Sequence, residues 1–593
     1  MQLATLSLLL FGICAAPQTG QQDALSTLAP LGEKPAATLI TEDHDPRLVQ
    51  VKFVHDSGVR LRQGRFVGTG DDLEAINGTL DGLGVTRKRL FQQSESWLEN
   101  WRLQGEARSG IALHDLNLFF LVELPEDGLV GSVCDWLNTF DMVELSWPVG
   151  RVEDPNVIPV HLQSNFSTLL PSPDFQNLQG YREAAPLGVD GDWGNLFSGG
   201  RGIGTVIADV ETGWTDDHED IAHKALGNYV GLPMTYYPWD HGTAVFGELI
   251  GEDNGEGVLG LVYEADVLMS THQGNSNNIP TAIAHAANAV GVGDAVVLEV
   301  QCYHGPPSPH PCEYDAGIFA TVQTATANGT HVFAAAGNGD NDLDSGAYGG
   351  AFDRSVRDSG AVMVGASNGS SLDKAGFSNY GSRCDAHGWG YDVTTAGYGY
   401  LYSGGTVQTE YTDSFSGTSS ATPIVTGAGL ILNAVHREAF GSPMDPFVLR
   451  DLLTNTGTPQ GAGGNIGPRP DVRLALERLQ VPKVIIAGNL VPGGSGTATI
   501  YGPSGDTFHM MYSKTLAATP AYMPPYGYLY LSTPLDRHEI DVLPASGQFT
   551  YNFNIPNNGG LSGTTIGYVQ GAVLFNTLPG TGTFTNYYPI EVQ

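Results

Sequence analysis

Gly417-Thr418-Ser419-Ser420-Ala421-Thr422-Pro423 is the stretch that decides the fold. A turn of small residues delivers a serine to the head of a long apolar run, Ile424 to Val435. At a helix N-terminus the first backbone N–H groups lack intrahelical acceptors, and the macrodipole presents its positive end. Negative charge that develops beside such a serine, as when it attacks a carbonyl, is stabilised there. Pro423 is expected in the first turn, where its missing N–H costs little. Taken alone, the motif reads more simply as a Ser/Thr cap on a buried helix.

Two upstream motifs change that reading. Gly204-Thr205-Val206-Ile207-Ala208-Asp209 has the pattern of a short buried strand ending in a carboxylate. Asp240-His241-Gly242-Thr243-Ala244-Val245 sets a histidine at the start of another small-residue helix. Nucleophilic serine chemistry needs these three residue types. The imidazole takes the serine proton and later returns it to the leaving group, and the carboxylate fixes the imidazole tautomer. A fourth motif, His331-Val332-Phe333-Ala334-Ala335-Ala336-Gly337-Asn338-Gly339, is an apolar strand running into a turn with an amide at its end. Asn338 is placed to donate a hydrogen bond to the oxyanion of a tetrahedral intermediate. Its alternative is that of a turn residue tolerating an unusual backbone.

With these four motifs in the order Asp, His, Asn, Ser, the chain resembles the subtilisin-like serine peptidases over roughly residues 199–479, about half its length. The resemblance implies a doubly wound α/β domain with a mostly parallel sheet. It also implies roles: Asp209 as orienting acid, His241 as general base, Ser419 as nucleophile and Asn338 as oxyanion donor. No cofactor is implied for the chemistry. Phe246 departs from the family, which has a small residue there.

The periodicity agrees with such a sheet. Val206-Ile207, Ala295 to Val300, His331 to Ala336 and Ala361 to Ala366 are nearly continuous apolar runs, as in strands buried on both faces. Helix-like runs, Thr281 to Val290 and Ile318 to Ala327, lie between them, the alternation of βαβ units. Val297-Leu298-Glu299-Val300-Gln301-Cys302 falls where the family pairs an edge segment with the substrate backbone, a case of strand addition. Glu299 there either favours a basic or polar substrate side chain or bonds a neighbouring element.

The chain has 593 residues, with 27 Lys+Arg against 63 Asp+Glu and a formal net charge of −36. That charge opposes binding to nucleic acid or anionic membrane. The apolar run Leu3 to Ala16 is too short to span a bilayer and sits like a signal h-region, so residues 1–20 are expected to be a signal peptide and the protein secreted. No later segment has the length and apolarity of a transmembrane helix. Cys302 and Cys312 bracket a proline-rich loop. In an oxidising compartment a disulfide closing that loop is expected. The alternative is a metal site of Cys302, Cys312, His304 and His310. Asp340-Asn341-Asp342-Leu343-Asp344 and Asp216-Asp217-His218-Glu219-Asp220 supply oxygens of the kind calcium takes, but neither has the spacing of a loop motif. Structural calcium is left as an option.

Six segments follow from the composition: the signal (1–20), a polar leader (21–45), an αβ unit (46–150), a linker (151–198), the catalytic domain (199–480) and a C-terminal β-rich section (481–593). In the αβ unit, Val49, Val51 and Phe53 alternate as a strand face. Leu116 to Leu124 is a second strand, Leu129, Val130, Val133 and Leu137 have helical spacing, and Met142 to Trp147 closes the unit. Ahead of a subtilisin-like domain such a unit resembles the family's inhibitory propeptide; otherwise it is an unrelated N-terminal domain. Thr497 to Tyr501, Gly527 to Leu531, Phe549 to Phe553, Thr565 to Val569 and Ala572 to Phe575 are short strands between turn signals, the spacing of a β-sandwich. The expected function is a secreted endopeptidase made as a zymogen, with polypeptide substrates and its own propeptide as partners. An idle binding or adhesion domain and a peptide ligase using the same residues are the alternatives.

Overall fold

Residues 25–153, 171–234, 240–305, 307–523, 526–576 and 582–593 are described by the computed structural model. The signal-peptide expectation and residues 154–170 of the linker fall outside them.

The first unit is built on β1 (His44–Phe53), α1 (Asp72–Gly82), β2 (Thr86–Arg89), α2 (Glu95–Ser109), β3 (Phe119–Glu123), α3 (Val130–Asn138) and β4 (Val143–Glu153). Strand β1 runs antiparallel to both β3 and β4, and β2 lies outside β3. Alternation sorts the two faces. Val49, Val51 and Phe53 point into a core with Ile76 and Leu80 of α1 and Val133 and Leu137 of α3. Phe119, Leu121 and Leu145 point the other way, into a core shared with the following domain. The second expected strand is shorter than its apolar run, because Asp115 caps a 3-10 turn over Leu116–Leu118 by accepting from the Asn117 N–H at 2.9 Å.

The larger domain holds β5 (Val206–Glu211), α4 (Asp240–Ile250), β6 (Asp266–Thr271), α5 (Ile279–Ala289), β7 (Ala295–Leu298), β8 (Gln301–Tyr303), β9 (His310–Pro311), α6 (Ala316–Ala327), β10 (His331–Ala335), β11 (Val362–Ser367), β12 (Ala386–Trp389), β13 (Val393–Ala396), β14 (Tyr411–Phe415) and α7 (Thr418–Phe440). Six strands make one parallel sheet in the order β12-β11-β10-β7-β5-β6. Its strands are apolar on both faces because both are covered. Ile207 and Val297 meet α4 and α7, whereas Ala208, Val210, Val296 and Leu298 meet α5 and α6. This is the subtilisin-like α/β arrangement.

Strands β8 and β9 are outside that sheet. They extend the first unit's sheet to the order β9-β8-β4-β1-β3-β2. The Cys302–Cys312 disulfide closes the β8–β9 loop, which takes both sulfurs away from the alternative metal site. No group of metal-ligating side chains occurs among the described residues, and none of their helices is long and apolar enough to cross a membrane.

Among the described residues the last section contains a two-stranded antiparallel pair, Leu516–Tyr522 with Tyr528–Leu531, and two larger antiparallel sheets. Lys483–Asn489, Ser495–Tyr501 and Gln548–Asn554 form one, and Arg537–Val542, Thr507–Ser513, Thr564–Leu574 and Gly582–Val592 the other. They share a core that includes Val484, Ile500, Phe508, Val569 and Ile590.

Candidate active site

Three of the four expected residues stand where strands and helices of the parallel sheet end. Ser419 is the second residue of α7, behind Gly417, whose φ of 105° and ψ of −178° suit only a residue without a Cβ. The expectation for Pro423 is corrected: α7 begins at Thr418, so Pro423 lies in the second turn. It offers no N–H toward the Ser419 carbonyl four residues back. His241 is the second residue of α4, 5% exposed, with its ring edge-on to Phe415 at 5.6 Å.

The carboxylate on His241 is Glu211, and this corrects the expectation for Asp209. Glu211 Oε1 lies 2.5 Å from His241 Nδ1, and its Oε2 accepts from the Thr212 N–H at 3.2 Å. Asp209 instead accepts at Oδ2 from the Trp214 indole N–H, 2.9 Å away. The two acids share a face of β5, but two residues of strand separate them by about 6.6 Å. Glu211 is the last residue of β5 and reaches the carboxyl edge of the sheet, where ligand sites of open α/β sheets are found. Asp209 stays below, fully buried. Glu211-Thr212-Gly213, an acid immediately before the turn, was the signal in the sequence that marked the strand's true end.

Phe246, the departure from the family, has a structural reason. Its ring stacks on Trp214 at 6.1 Å with planes 20° apart. The same indole lies against Gly242, where a Cβ would meet it at 2.5 Å. One buried tryptophan thus braces α4 at two points and holds Asp209.

Asn338 follows β10 and is oriented by the residue before the serine. Its side-chain oxygen accepts from the Thr418 N–H at 2.9 Å and the Thr418 hydroxyl at 3.0 Å. Thr418 Oγ1 in turn accepts from the Gly337 N–H at 3.1 Å, and the Asn338 backbone N–H donates to Gln301 Oε1 at 2.9 Å.

Two nearby acids, Asp240 and Glu410, are shifted upward. Burial raises the Asp240 carboxyl. Burial, then the charge of Asp240, pushes Glu410 up to about 7. Glu299 is fully buried, which overturns a role against substrate side chains in favour of the structural alternative. The edge of β8 is already paired: Gln301, Cys302 and Tyr303 lie antiparallel to Glu153, Val152 and Arg151 of β4.

Residues 202–470 match the sequence model of the subtilase family. Over 268 residues the chain is 29% identical to Subtilisin Savinase of Lederbergia lenta, covering 44% of this chain and 86% of that one. It is likewise 29% identical over 268 residues to an alkaline protease of Alkalihalobacillus alcalophilus, covering 44% of this chain and 61% of the other. Among solved structures, the epidermin leader peptide processing serine protease of Staphylococcus aureus superimposes with a TM-score of 0.44 at 16% identity, covering 73% of this chain and 98% of that one.

Proposed function

We propose that this chain, whose residues 202–470 match the subtilase family model, is a serine endopeptidase in which peptide hydrolysis runs through Ser419, His241 and Glu211. The observation that carries this reading is the 2.5 Å contact between His241 Nδ1 and Glu211. A carboxylate there keeps the Nδ1 proton in place, so Nε2 is the basic nitrogen. His241 Nε2 takes the Ser419 proton as Oγ attacks the scissile carbonyl. Glu211 stabilises the imidazolium that results, and His241 then protonates the leaving amine. Water repeats the sequence on the acyl-enzyme. The Asn338 NH2 and the N-terminal dipole of α7 stabilise the oxyanion.

The unit at 46–150 is read as an inhibitory propeptide and the protein as a secreted zymogen. Support comes from β4, which occupies the edge of β8 by strand addition, the mode expected for substrate. Trp147 Nε1 and Gln50 Nε2 also donate to Asp315 of the catalytic domain, at 2.8 and 3.2 Å. The Cys302–Cys312 disulfide suits an oxidising compartment. Residues 481–593 are read as a β-sandwich-like accessory domain. A fluorophosphonate probe tests the enzyme reading. It should label the mature protein at Ser419 and not the Ser419→Ala variant. Absence of labelling in correctly processed protein would favour a binding role instead.

A further inference from the structure

The turn that follows β10 carries Asn338 and leaves the parallel sheet after Ala336. Ala336 N–H donates to the Val364 carbonyl of β11 at 2.9 Å, and Asp340 N–H to the Phe377 carbonyl at 2.7 Å. The remaining donors from Gly337 to Asn341 go to side chains. Gly337 N–H reaches Thr418 Oγ1 and Asn338 N–H reaches Gln301 Oε1. The N–H groups of Gly339 and Asn341 share Asn379 Oδ1, at 3.1 and 2.8 Å. Buried backbone donors are costly to leave without acceptors, so a turn outside any ladder takes the shape that its side-chain acceptors impose.

The three acceptors differ in what else they do. Thr418 precedes the nucleophile. Asn379 bonds the turn at several points, including the Ala336 carbonyl through Nδ2 at 2.7 Å. Gln301 meets the turn at Asn338 and is only 5% exposed. Its main chain belongs to β8, paired with Pro311 of β9 on one side and Glu153 of β4 on the other. The next residue, Cys302, is joined to Cys312.

That disulfide-closed hairpin touches the turn a second time. The Pro309 carbonyl accepts from Asn341 Nδ2 and from Asn379 Nδ2, both at 3.0 Å. The hairpin therefore grips the turn near both ends, at Asn338 through Gln301 and at Asn341 through Pro309. Gln301 also stands at a junction. Its main chain lies on the edge that takes an added strand, and its side chain holds the backbone beside the nucleophile's helix.

We propose that Gln301 is a positioning residue for Asn338: by accepting from the Asn338 N–H it fixes the backbone from which the oxyanion amide projects, and the disulfide-closed hairpin is its rigid base. This rests on the reading of Asn338 as oxyanion donor. Gln301 acts through Asn338 and not on the reacting atoms. A donor aimed at developing charge contributes most in the transition state, and a small misplacement of it is felt in kcat and not in substrate binding.

The test is a double-mutant cycle on the full chain. Hydrolysis of a chromogenic peptide is normalised to the fraction labelled by a fluorophosphonate probe, so unfolded protein does not count. Gln301→Met keeps the length of the side chain and removes its carbonyl acceptor. It should lower kcat about tenfold, the worth of one neutral hydrogen bond, and leave KM unchanged. In an Asn338→Ala background the same change should cost less than about twofold, because the group it positions is already gone. Equal losses in the two backgrounds, a rise in KM in both, or no loss in the first overturn the proposal. If Asn338→Ala itself retains full kcat, the oxyanion reading falls first and this inference falls with it. Hydrogen exchange gives a second measurement that needs no turnover. In the Ser419→Ala chain, about one amide in the segment 334–341 should exchange faster once Gln301→Met is added. Unchanged exchange in that segment would also refute the assignment.

Discussion

Replacing Glu211 by glutamine keeps the length of the side chain and removes its charge. The 2.5 Å contact to His241 Nδ1 would then be made by an amide. Its NH2 group would donate to Nδ1 and drive the imidazole proton to Nε2, where the Ser419 proton has to go. The imidazolium would also lose the negative charge beside it. The corresponding acid-to-amide change in a serine protease triad lowers kcat by about 10⁴, or about 5.4 kcal/mol at 1.36 kcal/mol per decade. Oxyanion and binding contributions are untouched, so KM should change little. The assay is hydrolysis of a chromogenic peptide by mature enzyme, with the variant matured by added wild-type enzyme that is then removed. Asp209→Asn is the decisive companion. It keeps an acceptor for the Trp214 indole and leaves Glu211 in place, so it should retain activity within about tenfold, consistent with a change that leaves the reacting groups intact. If Asp209→Asn loses about three decades and Glu211→Gln less than one, the assignment of the orienting acid is wrong.

Ser419→Ala and His241→Ala should each abolish most hydrolysis, and the double variant should lose little more, because the groups act as a unit; additive losses in kcat/KM would contradict this. Asn338→Ala should lower kcat about 10²–10³-fold, the loss known for an oxyanion-hole amide in a subtilisin, with unchanged fluorophosphonate labelling stoichiometry showing that the nucleophile is still presented. Wild-type chain should mature by a cut between residues 150 and 198, whereas Ser419→Ala keeps the unit at 46–150 attached; added separately with its tail, that unit should inhibit mature enzyme. N-terminal sequencing and an inhibition titration check the two parts, and active enzyme that retains 46–150 covalently and ignores the added fragment would make the unit an accessory domain.

Much of the fold could be read in advance because its signals are local and repeated. The runs at Ala295 and His331 are too apolar for a half-exposed strand, and both are central strands of the parallel sheet. The placement of Ser419 and His241 at helix starts was legible because each sits in a run of small residues that opens a helix. The acid was misplaced because strand ends are set by hydrogen bonding to neighbours. Ala208-Asp209-Val210 does not itself show that β5 continues two residues to pair Glu211 with Thr271; the sign of the strand's end lies further on, in Glu211-Thr212-Gly213. The orientation of Asn338 was not legible either, since it depends on Thr418, eighty residues away.

Trp214 has a consequence for protons. The indole is wedged against Gly242 and Phe246 of α4 and is tied to Asp209 of β5. Helix and strand are thereby coupled as one body, and the breathing that would let water reach between His241 and Glu211 requires moving a side chain that is 1% exposed. A hydrogen that exchanges only through such an opening exchanges slowly. The Nδ1 hydrogen of His241 should thus persist on the magnetic resonance timescale as a resolved far-downfield signal, in a protein whose other ring hydrogens at the surface are averaged away by solvent.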